Sequence, residues 1–78
     1  MCYRILILDH SSDQIKYFER RRIYYNNDMH KSVSATRIIT SNSGGKIFSN
    51  KIEAEIEASY IRDNYPEPCI VEIEKYEI

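Results

Sequence analysis

The chain has 78 residues, 11 Lys or Arg against 12 Asp or Glu, a net charge of -1, 42% hydrophobic side chains, and two residues each of Gly, Pro and Cys. This length leaves room for one small domain and no second, and such a chain buries only somewhat more than about 60% of its unfolded surface, so its core is marginal. Two cysteines, Cys2 and Cys69, exclude a disulfide scaffold, and the longest aliphatic run, Ile5 to Leu8, excludes a membrane span or signal-peptide core, so a cytoplasmic protein is expected.

A pI near 6.1 removes the global charge signature of a nucleic-acid binder while leaving room for a local patch. The chain contains 13 Ile against 2 Leu, with seven Tyr and no Trp. Ile and Tyr fit pleated, half-buried surfaces, so most of the core is expected in a sheet. The same bias follows from AT-rich codons.

In chain order, residues 2 to 9 read as a strand with apolar residues on both faces, Tyr3, Ile5 and Ile7 against Cys2, Leu6 and Leu8. A strand apolar on both sides is expected at the centre of a sheet. Residues 9 to 13 (Asp9, His10, Ser11, Ser12, Asp13) contain the letters of a hydrolase triad, but adjacent residues cannot form the nucleophile, base and orienter chain, so they read as a turn or helix cap.

Residues 14 to 29 fit two templates. A helix puts Ile15, Phe18, Arg22, Tyr25 and Met29 on one stripe, with Arg22 as its flaw, whereas a strand puts Ile15, Tyr17, Ile23 and Tyr25 on one face. The length of the segment favours the helix, which is the reading adopted. After the stop signal Asn26, Asn27, Asp28, residues 35 to 40 and 46 to 49 are predicted to form a hairpin across Ser41, Asn42, Ser43, Gly44 and Gly45.

Residues 50 to 65 carry the clearest helix pattern, with Asn50 as cap, Glu53 three residues on, and Pro66 and Pro68 as terminators. Its apolar residues fall into two stripes, Ile52, Ile56, Tyr60 and Ala54, Ala58, Ile61, Tyr65. Residues 69 to 76 alternate as an antiparallel strand with one wet face. The favoured architecture is therefore α+β, a four-stranded antiparallel sheet with two helices in the ferredoxin-like βαββαβ order; the alternative is a β-meander with one helix.

No spacing supports catalysis, and a non-enzyme without cofactor or metal is expected. His10 and His30 have the chemistry of an acid and base pair in a metal-independent nuclease, but no spacing rule supports the pair, and in polar loop-like segments a plain solvated histidine is the commoner outcome. Cys2, Cys69, His10 and His30 lack the close spacing of zinc ligands. Gly44, Gly45 and Lys46 lack the first glycine and the final Ser or Thr of a phosphate-binding loop.

Two surfaces remain as candidates. The triplet Arg20, Arg21, Arg22, with Lys16, Arg37 and the tyrosines Tyr24 and Tyr25, supplies phosphate contacts and stacking rings, or a contact for an acidic protein. Residues 1 to 39 hold 7 Lys or Arg and 4 Asp or Glu, residues 40 to 78 hold 4 and 8, so the halves carry opposite charge. The second surface is the spare helix stripe Ile52, Ile56 and Tyr60, flanked by Glu53, Glu55 and Glu57, which has the composition of an interface.

More apolar surface than one small sheet can bury implies a partner, either a larger host protein or complex, or a second copy of the chain. The expected function is a protein-binding module that occupies a partner surface. Size and composition fit a small virus- or mobile-element-encoded inhibitor of a host defence system, such as an anti-CRISPR protein. A nucleic-acid-binding regulator is the second expectation and a nuclease the third.

Overall fold

A computed structural model describes residues 1 to 10, 14 to 28 and 31 to 76, and the side chains of residues 26 to 28, 31 to 34 and 76 lie outside that description. The elements run β1 (Cys2–Asp9), β2 (Lys16–Asp28), β3 (Lys31–Ser41), α1 (Lys51–Asn64) and β4 (Cys69–Tyr76). They form one antiparallel four-stranded sheet in the order β3-β2-β1-β4, with α1 packed on one face. The fold is α+β with one helix, nearer the second of the two expected arrangements: β1, β2 and β3 follow one another as a meander, while β4 crosses over through α1 to pair with the other edge of β1.

The predicted first helix does not form. Residues 16 to 28 are a strand because Ile23, Tyr24 and Tyr25 suit a pleated surface and because β3 pairs with almost their full length, from Tyr17↔Ser41 to Asp28↔Lys31. The predicted hairpin between residues 35 to 40 and 46 to 49 is also absent. β3 pairs with β2 instead, and Gly44 and Gly45, at φ 83° and 84°, carry the chain back toward β1.

That return splits β2 from β1. The two strands pair at Leu6↔Tyr17 and Ile7↔Lys16; beyond them Lys46 donates its amide to the Phe18 carbonyl at 2.8 Å, and Phe48 exchanges two backbone hydrogen bonds with Tyr3. The far end of β1 is thus lined by residues 46 to 48, while the β2–β3 ribbon extends away. The radius of gyration, 14.2 Å, and the extents of 49 × 28 × 20 Å reflect this projection; a compact chain of this length has a radius of about 11.5 Å.

α1 begins where expected. The Asn50 side chain accepts from the Ile52 amide at 2.8 Å, and Tyr65 ends the helix by donating its amide to the Ile61 carbonyl, just before Pro66. Ala54, Ala58 and Ile61 face the sheet and join Ile5, Ile7, Phe18, Phe48 and Val71 in the core. Two alanines on that stripe let the helix approach the sheet closely. β1 is central, as its two apolar faces imply, and among the described residues the helix covers one of them.

Candidate functional site

With the alanine stripe on the sheet, the other stripe of α1 faces out: Ile52 is 64% exposed and Ile56 63%. Tyr60, one turn further on, is half-buried because the Arg21 guanidinium lies 3.5 Å from its ring centroid. Arg21 also donates both Nε and Nη2 to the Glu57 carboxylate, the second bond at 2.9 Å. This fork ties the ribbon to the helix, and the two charges neutralise each other. Neither Arg21 nor Glu57 is therefore a free contact, although the sequence placed them on separate surfaces. Glu53 and Glu55 remain exposed, and the Lys51–Glu55 approach of 3.9 Å is a solvated pair of little energetic weight.

A bulge between Phe18 and Arg20 decides what each face of the ribbon carries. Without it, Phe18, Arg20 and Arg22 would share the helix side. One extra residue shifts the alternation, so Arg21, Ile23 and Tyr25 lie on the helix side, across from Ile38, Thr36 and Ser34 in the register. Ile23 is 53% exposed and Tyr25 72%, and they extend the apolar surface beyond the Arg21 fork. Sequence reasoning assigned Tyr25 to the basic patch and missed Ile23, whose signal was its alternation with Tyr25 once the segment is a strand.

The opposite ribbon face holds Arg20, Arg22 and Tyr24, paired with Ile39, Arg37 and Ala35. The guanidinium carbons of Arg22 and Arg37 each lie 5.1 Å from the Tyr24 ring centroid. Lys16, expected in the same patch, instead binds Asp9, with Nζ to Oδ2 at 3.2 Å.

Asp9 is buried at the end of β1 and also accepts the Tyr65 hydroxyl at 3.2 Å. Burial, then the hydrogen bond to Asp9, push the Tyr65 phenol up from 10.0 to about 12. Burial and the Asp9 charge likewise raise the Cys69 thiol. Because folding raises the phenol's pKa, its contribution is complete below pH 10 and lost as pH rises toward 12. Tyr65→Phe is expected to cost about 1.5 to 3 kcal/mol at pH 7, a typical value for a hydrogen bond to a charged group. Urea titrations of both proteins from pH 7 to 12 should show that deficit shrinking above pH 10; a constant deficit would contradict the assignment.

The sheet face away from α1 holds a shallow depression of about 130 Å³ lined by Leu6, Leu8, Ile15, Ile70 and Glu72. Beside it Arg4 binds Glu74, Nε to Oε2 at 2.9 Å, and lies over the Tyr17 ring. His10 is exposed, and His30, the other half of the nuclease reading, lies outside the described residues. Among the described residues no three His, Cys, Asp or Glu side chains gather as a metal site, and no helix is long and apolar enough to cross a membrane.

The fold and surface define an α+β domain with a projecting β-ribbon and an exposed aliphatic helix stripe. No protein-family model, curated protein or solved structure matches the chain in comparison.

Proposed function

We propose that this chain is a non-enzymatic protein-binding module whose contact surface is the outer stripe of α1, Ile52, Ile56 and Tyr60, continued by Ile23 and Tyr25 across the Arg21 fork. The observation that carries this reading is the exposure of Ile52 and Ile56 on a helix whose other stripe already supplies the core. Large exposed aliphatics grouped on one face are characteristic of interfaces. The partner is a larger protein with an apolar groove and basic margins. Glu53 and Glu55, both exposed beside the stripe, supply the complementary charge. A module that covers a surface acts as an inhibitor of whatever uses that surface, and a host complex is the partner class we assign.

Ile56→Glu is the first test. The variant is expected to keep the circular dichroism spectrum and thermal midpoint of the parent, because position 56 is outside the core. In lysate of the cognate cell, the parent should retain one protein in stoichiometric amount by native mass, and the variant should lose it by at least about tenfold, the equivalent of 1.4 kcal/mol. An unfolded variant, a complex unaffected by the substitution, or a parent that merely dimerises would overturn the reading.

A further inference from the structure

The Arg20, Arg22 and Arg37 face of the ribbon is independent of the helix stripe. Arg22 and Arg37 are direct cross-strand partners, a placement that destabilises a ribbon when the charges are alike. Among the described side chains, no carboxylate pairs with Arg20, Arg22 or Arg37, whereas Lys16 and Arg21 each have one. The two guanidiniums share only the Tyr24 ring. Among the described side chains, Lys16 and Arg21 are thus paired with carboxylates while Arg20, Arg22 and Arg37 are left exposed on the other face of a projection.

We propose that this face binds duplex DNA, with the β2–β3 ribbon lying in the major groove and Arg20, Arg22 and Arg37 each contacting a phosphate. Two observations favour this over an acidic protein surface. The site is a narrow two-stranded ribbon, which the major groove, about 12 Å wide, admits. Its cations are all arginines beside an exposed ring, and their planar forks suit phosphate and guanine edges. The deep, narrow major groove of duplex RNA excludes such a ribbon, so the geometry also orders the two nucleic acids.

Three phosphate contacts predict a salt slope of about -2.7, so affinity for a 20-base-pair DNA should fall about 40-fold between 20 and 80 mM salt. Fluorescence anisotropy with labelled duplex DNA, duplex RNA and single-stranded DNA of one sequence reads this directly. Duplex DNA should bind best and duplex RNA worst. Arg22→Gln combined with Arg37→Gln should reduce the slope to about -0.9, and its thermal midpoint should equal or exceed the parent's because the like-charge pair is gone. Ile56→Glu should bind DNA as the parent does, which separates this inference from the protein-binding reading. The inference is overturned by no binding at 20 mM salt, by equal or tighter binding of RNA or single strands, or by an unchanged slope in the double variant.

Discussion

Replacing Phe18 with alanine is expected to cost about 3 to 5 kcal/mol. A domain of this length has a total stability of roughly 4 to 12 kcal/mol, so the loss is a large fraction of the whole. Phe18 is 2% exposed and stacks on Phe48 at a centroid separation of 6.3 Å. It is the last β2 residue in the core before the bulge, and its carbonyl receives the Lys46 amide. The cavity would therefore open at the point where β2 leaves β1 and residues 46 to 48 take its place. Urea unfolding of Phe18→Ala measures the loss. Ile23→Ala, an exposed site on the same strand, should change stability by less than about 0.5 kcal/mol; similar losses at both positions would contradict this account of the core.

The second large effect is expected at Gly45. Both glycines after β3 have positive φ, so alanine at either is strained by about 1 to 2 kcal/mol. At Gly44 nothing lies near the added methyl, and that backbone strain is the entire penalty. At Gly45 a Cβ would sit 2.6 Å from the Tyr17 Cβ and 2.9 Å from the Phe18 carbonyl oxygen, both parts of β2 that cannot swing aside. Overpacking of this kind adds about 1 to 3 kcal/mol. Gly45→Ala should therefore destabilise the protein clearly more than Gly44→Ala in parallel denaturation. Its Lys46 and Phe48 amides should also exchange with solvent faster, because the wedge beside β1 is displaced. Equal effects at the two glycines would show that the close approach to Tyr17 is not a constraint.

These two sites mark where local reading of the sequence ran out. α1 was legible because its signals are local: Asn50 to cap it, Ala54 and Ala58 four residues apart, Pro66 to stop it. β4 and the central place of β1 followed from alternation and from the two apolar faces of residues 2 to 8. β2 was not legible, since Ile15, Phe18, Arg22 and Tyr25 fit a helical spacing while Ile15, Tyr17, Ile23 and Tyr25 fit an extended one. Pairing with β3, a non-local choice, decided between them. The hairpin expected after β3 failed for the same kind of reason: residues 46 and 48 bond to Phe18 and Tyr3, distant in sequence, and not to β3.

The surfaces were legible to a similar degree. Exposure of Ile52 and Ile56 followed from counting apolar stripes on one helix, and the structure places both in solvent. The arginine triplet was visible as a charge run, but a strand cannot present three consecutive side chains on one face. Which of them turned inward depended on a one-residue bulge that leaves no periodic trace. Arg21 met Glu57 across 36 positions of sequence, and Lys16 met Asp9 across the start of β2. Both pairs removed charges from the patch that composition alone had assembled. What remained, Arg20, Arg22, Arg37 and Tyr24, is a smaller and more sharply bounded surface than the sequence implied.

Site-specific photocrosslinking tests the central claim most directly, with benzoylphenylalanine placed at Ile56 on the outer stripe of α1 or at Leu8 on the opposite face of the sheet. In lysate of the cognate cell, position 56 should give one discrete adduct with a larger protein, and position 8 should give none. An adduct from position 8 alone, or an adduct from position 56 with the mass of two copies of this chain, would contradict the claim that the helix stripe is the surface this protein works through.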